Sequence, residues 1–296
     1  MKRKSTLEEI RKSIVLHRVP KSVIGDDRRV IITSLGTERI TAQAEARYKE
    51  WRCFNGLDID GPHLISEVTE FLEYFAETHS QSSLNQTRQA LARELGLQIP
   101  VIHSLIDTIA AGRAYGWHEV KAVARRQRKR NAFSTLLAFN AGLRAAELGA
   151  ICEESEAQPS EHREWRADMF EGRRDFRTMI VPGKGGLRRR VALDEPLYHE
   201  LQKFRRLVPE KIMDRGILYQ SYFDVGSGQS FSQSFSYASQ RALEMSTGAH
   251  GLRHGFAQRR VQELMPLGYT FVQAIEIVSV ELGHFRPLYT YYQPRT

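Results

Sequence analysis

Cysteine is almost missing from this chain. Only Cys53 and Cys152 occur among 296 residues, far apart and in no C-x-x-C arrangement. That scarcity excludes a disulfide framework and a thiolate zinc site, and leaves two ordinary reduced thiols. Long apolar runs are missing as well: none reaches the roughly 18 residues of a membrane span. The basic start Met1-Lys-Arg-Lys4 is followed by charged residues where a signal peptide needs an apolar stretch. A soluble, cytoplasmic protein is expected. Acidic residues are the minority charge, 35 against 43 lysines and arginines, for a net charge of +8. Such an excess draws a chain toward a polyanion and favours nucleic acid over an acidic small molecule.

What is present is enough to bury real cores. With 41% hydrophobic composition, the length suggests two domains. Residues 1–30 form a basic arm, with Arg18, Lys21, Arg28 and Arg29 after the first cluster; such an arm either gains order on a polyanion or stays solvated. Residues 31–112 read as an all-helical domain. A helical pattern runs from Thr37 to Phe54, and Asp60-Gly-Pro62 supplies a start signal for a helix whose Leu64, Ile65, Val68, Phe71, Leu72 and Phe75 recur at helical spacing. Ser82 or Ser83 can cap the next helix, Leu84 to Leu95, which ends at Gly96 before the apolar run Val101 to Ala111.

Two glycines in Ala111-Gly-Arg-Ala-Tyr-Gly116 interrupt the pattern, so 113–118 is taken as the linker and 119–296 as the second domain. Arg125, Arg126, Arg128, Lys129 and Arg130 then form a basic cluster that is either a solvated face or a phosphate-backbone contact. Phe133 to Ile151 reads as one buried helix containing Gly142-Leu-Arg144. Strand-like runs at Arg177 to Val181 and Arg189 to Leu193 flank the turn Pro182-Gly-Lys-Gly-Gly186, with Lys184 at its tip. Helical pattern resumes from Leu197 to Phe204, and Gly226 to Ser234 reads as a Ser- and Gly-rich loop.

The chemistry concentrates in a few short motifs: Arg144 with Glu147, Lys184, His250-Gly-Leu-Arg-His254, Leu282-Gly-His284 and a terminal group of tyrosines. Arginine forks suit the oxygens of a phosphate, and histidine moves protons near neutral pH. Taken alone, Arg144 is a helix-end arginine paired with Glu147 three residues on. His250 and His254 lie four residues apart, which is also the spacing of a metal pair, but Gly251 stands where H-E-x-x-H has its glutamate. His254 is therefore read as support or packing, and no metal site is expected.

In this order the motifs resemble the tyrosine recombinase, or phage integrase, family over residues 120–292, and more loosely from about residue 35. The resemblance implies a mainly α protein: a helical core-binding domain of the SAM-like kind and an α+β catalytic domain with a small β-sheet, closing as a clamp around double-stranded DNA. It implies site-specific recombination through a 3′-phosphotyrosine intermediate for integration or excision of a mobile element, without metal or other cofactor. Arg144 and Arg253 would bind the non-bridging oxygens, Lys184 would protonate the departing 5′-oxygen, His250 would accept the tyrosine proton or bond the phosphate, and His284 would bond a non-bridging oxygen. Glu147 would orient Arg144. Arg188, Arg189 and Arg190 would contact the backbone or solvent, and Arg188 joins the basic cluster as a DNA contact.

In most relatives the nucleophile falls nine positions after the histidine of Leu-Gly-His, where Gln293 stands here. Deleting one residue in the turn Arg286-Pro287-Leu288 restores the register and makes Tyr292 the attacker, with Tyr291 second and Tyr289 also nearby. The partners implied are duplex DNA, three further copies in a tetramer on two duplexes formed from free monomers, and accessory DNA-bending proteins. A DNA-binding protein with decayed catalysis, a type IB topoisomerase and a metal hydrolase built on His250, His254 and His284 are the alternatives.

Overall fold

The computed structural model describes residues 32, 35–106, 112–183, 187–214 and 217–293. The basic arm and Lys184 lie outside these. The chain divides into two compact units, Met1–Ile109 and Ala110–Thr296. It is mainly helical, with two two-stranded sheets among the described residues.

The first unit is built from α1 (Leu35–Phe54), α2 (Ile65–Ala76) and α3 (Gln81–Leu95). The apolar spacing of α2 buries Val68, Phe71, Leu72 and Phe75 against Tyr48 and Trp51 of α1 and Leu84 and Leu91 of α3. Ser80, rather than Ser82 or Ser83, caps α3 by accepting from the Ser83 amide, and Gly96 ends it in the left-handed region at φ +66°. Residues 101–106 of the following apolar run are not helical; the Gln81 side chain fixes them through the Ser104 amide at 2.8 Å and the Ile102 carbonyl at 3.0 Å.

The second unit opens with Arg113–Gly116, which is no free linker. Tyr115 is buried, its hydroxyl bonded to Ser239 at 3.0 Å and to the Thr247 amide at 2.7 Å. Next come α4 (Trp117–Arg125), α5 (Lys129–Ala141) and α6 (Ala145–Leu148). The single helix expected over Phe133–Ile151 is therefore broken. Gly142 takes a left-handed φ of +62° as the cap of α5, and Arg144 is extended (φ −77°, ψ 153°), so the helix must restart at Ala145.

Strands β1 (Phe176–Pro182) and β2 (Arg188–Asp194) form the expected antiparallel hairpin, with Pro182 opposite Arg188. Helix α7 (Glu195–Gln202) follows, then a second hairpin that the sequence pattern does not predict, β3 (Arg205–Asp214) with β4 (Ile217–Phe223). The supposed loop around Gly226–Ser234 is largely helix, since α8 spans Gly228–Leu243. Phe231, Phe235 and Ala238 give it a buried stripe that its serines conceal, and burial contributes ~1.5–3 kcal/mol for each phenylalanine. Finally α9 (His250–Leu264) and α10 (Phe271–Glu281) pack through Phe256, Ala257, Val261, Ala274, Ile275 and Val278, and the chain closes in a 3-10 turn, Tyr289–Tyr292. Among the described residues no helix is long and apolar enough to cross a membrane.

Candidate active site

Four segments of the second unit meet at one cluster: the α5–α6 junction, the start of β2, the first turns of α9, and the end of α10 with the closing 3-10 turn. Arg144 sits at the cap of α6. Its amide donates to Glu147 Oε2 at 2.8 Å and its Nη1 to Glu147 Oε1 at 2.5 Å. Its remaining amino group, Nη2, lies 3.2 Å from His284 Nε2. With a side chain 27% exposed, Arg144 is the cluster's open arginine.

Arg253 on α9 is fully buried. Its Nη1 donates to the Gly142 carbonyl at 2.5 Å, its Nη2 to the Leu282 carbonyl, and its Nε to the Tyr291 hydroxyl at 3.2 Å. The Tyr291 hydroxyl also lies 3.4 Å from His250 Nε2, to which it can donate. Burial, and then the positive charge of Arg144, bring Arg253 down to about 9, so it stays a cation at neutral pH.

The imidazoles are neutral. His250 and His254 are held down at about 4, by burial first and then by Arg253 and their other cationic neighbours; His284 lies at about 3, from burial, Arg253 and Arg144. His250 stands at the solvent-facing side of the cluster, with its ring tilted against that of Tyr291 at a centroid distance of 5.8 Å. His254, one turn further, is buried with its ring centroid 4.3 Å from that of Tyr291, a packing position. Among the described residues no cluster of three or more His, Cys, Asp or Glu is arranged to hold a metal ion.

The adjacent tyrosines diverge. Tyr291 turns into the arginine cluster, while Tyr292 packs edge-on against Phe271 with ring centroids 5.9 Å apart. Burial, together with Glu281 and Tyr291, pushes the Tyr292 phenol well above its ordinary range. Tyr289 is exposed.

Glu147 is the hub of the site. Burial alone would raise its carboxyl, yet Arg189, Arg144 and Arg253 outweigh that and bring it down to about 2. Three arginines around one carboxylate leave the cluster with a net positive charge, as a phosphate site requires. Gly183, at the end of β1, abuts this hub: a Cβ there would lie 3.5 Å from Glu147 Oε1. Lys184, the next residue, lies outside the described residues.

Arg189 does not meet DNA backbone or solvent, the place expected for it from the sequence. It is fully buried and donates through Nη2 to Glu147 Oε2 at 2.8 Å. One sequence signal leads there, since strand alternation puts Arg189 on the same face as the buried Val191 and Leu193. Its neighbour Arg188 is exposed, with its amide tied to Ser160 Oγ at 2.9 Å. Arg125, Arg126, Arg128, Lys129 and Arg130 are grouped at the α4–α5 turn rather than on one helix face, and Arg130 pairs with Asp224 at 3.0 Å.

The chain has the fold of the tyrosine recombinases. Its architecture is similar to that of a XerH site-specific recombinase bound to palindromic difH substrate in a post-cleavage complex, at 16% identity and a TM-score of 0.55 over 89% of this chain and 77% of that one. It is also similar to a lambda integrase dimer bound to a COC′ core site, at 13% identity and a TM-score of 0.52 over 98% of this chain and 81% of that one. The sequence matches no protein-family profile and no curated protein.

Proposed function

We propose that the chain is a site-specific recombinase that breaks and rejoins duplex DNA through a 3′-phosphotyrosine intermediate, with Tyr291 as the nucleophile. One observation carries this reading: the Tyr291 hydroxyl lies between Arg253 Nε and His250 Nε2, inside a cluster of arginines. Neutral His250 accepts the phenolic proton while Arg253 stabilises the negative charge developing on the same oxygen. The phenolate oxygen bonds to phosphorus and the bond to the 5′-oxygen breaks. That oxygen leaves as a hydroxyl with a proton from Lys184, as the resemblance implies. Arg144 and His284 meet the non-bridging oxygens, where charge grows in the transition state, and Glu147 holds Arg144 in place. The energy of the broken bond is kept in the phosphotyrosine, so rejoining needs no nucleotide cofactor.

Around this centre the two units would close on DNA as a clamp, with the α4–α5 turn and Arg188 on phosphates. Four copies on two duplexes would exchange strands, integrating or excising a mobile element with the help of DNA-bending proteins. The solved relatives bound to difH and COC′ DNA support a duplex partner.

The test is a covalent adduct. Duplexes retained by the chain from a random-sequence pool are nicked to trap the intermediate, incubated with chelator, and the linked peptide is mapped by mass spectrometry. An adduct at Tyr291, lost in Tyr291→Phe and kept in Tyr292→Phe, is expected. An adduct at Tyr292 would move the nucleophile. Tight binding with no adduct would make the chain a DNA-binding protein without catalysis.

A further inference from the structure

We infer that Arg189 is the positioning residue of this centre, fixing the carboxylate that aims Arg144 and tying β2 to both phosphate-binding segments; this rests on the reading of the site as a phosphoryl-transfer centre. Arg189 cannot touch DNA from where it is, since its side chain is 1% exposed. Each of its terminal nitrogens is spent on a different part of the site. Nη1 donates to the Glu281 carbonyl at 2.8 Å, at the end of α10 just before Leu282-Gly-His284. Nη2 donates to Glu147 Oε2 at 2.8 Å and approaches the Gly142 carbonyl at 3.4 Å.

The carboxylate is thereby held from two directions. Oε2 receives Arg189 Nη2 and the Arg144 amide, and Oε1 is left for Arg144 Nη1. A carboxylate so gripped sets the plane of the Arg144 guanidinium and, through Nη2, the place of His284. Arg253 Nη1 also faces Glu147, at 3.9 Å from Oε2, but its own bonds go to backbone carbonyls and to Tyr291.

The Leu-Gly-His glycine is part of the same device. Gly283 has φ +74°, and a Cβ there would lie 2.9 Å from Arg189 Cδ and 3.3 Å from its Nε, so the arginine stem needs that bare backbone. Removing one partner of a buried ion pair is in general destabilising, but Glu147 keeps Arg144 at 2.5 Å and Arg253 at 3.9 Å, so its charge stays compensated when Arg189 is replaced by an apolar side chain. What the guanidinium adds is geometry at Glu147.

Arg189→Met and Arg189→Lys are compared with the wild-type chain on the nicked, pool-selected duplex, measuring Kd and the single-turnover rate of adduct formation separately. Methionine should leave Kd within about threefold and slow adduct formation about 100-fold, the usual cost of misplacing a catalytic group by an ångström. Lysine, which keeps a charge opposite Glu147 but not the fork, should recover part of that rate. Methionine rates within about threefold of wild type would overturn the inference. So would a loss of rate matched by an equal loss of binding, or failure of both variants to fold at low temperature, which would make Arg189 a folding residue. If the wild-type chain forms no adduct, the reading of the site fails first and the inference falls with it.

Discussion

Tyr291 and Tyr292 show how far residue-level reading of the sequence reaches. The motifs place a tyrosine near the end of the chain, but counting from His284 lands on Gln293, and a one-residue shift points to Tyr292. Neighbours in a 3-10 turn point about 120° apart, so the count cannot decide which of them faces inward. Packing decides it: Phe271 takes Tyr292, and Arg253 with His250 takes Tyr291. Arg144 and Glu147 are legible as a pair because they lie three residues apart; for Arg189, alternation along β2 points to the core but does not reveal that Glu147 is the partner it meets there. The neutral histidines carry a pH prediction. Their folded values of about 4, 4 and 3 lie below the ordinary 6.5, so between these limits the unfolded chain binds more protons than the folded one. Their contribution to stability is complete above pH 6.5 and drains away as pH falls through the folded values. The melting temperature of the DNA-free chain should therefore already decline between pH 6.5 and 5, before most carboxylates titrate, and adduct formation should fall only near pH 4, when His250 can no longer accept the Tyr291 proton. A melting temperature that is flat or rising over pH 6.5 to 5 would contradict the neutral cluster.

Elements are legible where a single residue carries the signal. Gly96 after α3 marks a real end, and the glycine turn between two apolar runs marks the β1–β2 hairpin, whereas Pro62 lies before the Leu64 cap rather than in the first turn of α2. Elements that depend on distant packing are not. The serines of α8 mask its phenylalanine stripe, and β3–β4 exposes Leu207, Val208, Met213 and Leu218, so it lacks the alternation of a half-buried sheet. Helix α9 hides a further device. Gly251 and Gly255 stand one turn apart facing the Arg113–Tyr115 segment, where a Cβ would lie 2.3 Å from the Arg113 carbonyl oxygen and 2.3 Å from the Tyr115 carbonyl oxygen respectively. Helix propensity alone says that Gly251→Ala should stabilise α9 by ~1 kcal/mol. The clash is with backbone, which has nowhere to retreat beside buried Tyr115, so a net loss of ~1–3 kcal/mol is expected instead. Urea unfolding reads the sign directly, and a more stable alanine variant would show that this segment does not press on α9.

At the scale of the whole molecule, the excess of 43 basic over 35 acidic residues says only that a polyanion is attracted, while the fold says where part of that charge is presented. Many arginines are consumed internally. Arg189, Arg253 and Arg260 are fully buried and bonded to carboxylates or carbonyls, and Arg206 pairs with Asp224 and Glu210. The α4–α5 turn is different: Arg125, Arg126 and Arg128 are exposed there. If they sit on phosphates, as the proposed function requires, each displaces a condensed counterion on binding. The dependence of log K on log salt for duplex DNA should then be steep, and should flatten by roughly three units when all three are changed to glutamine, near 0.9 for each phosphate no longer neutralised. Binding isotherms between about 50 and 200 mM salt measure that slope without knowledge of the target sequence, because the effect is independent of base readout. A triple variant with the wild-type slope would move the phosphate-binding surface elsewhere on the chain and leave this turn solvated, even if the covalent chemistry at Tyr291 were intact.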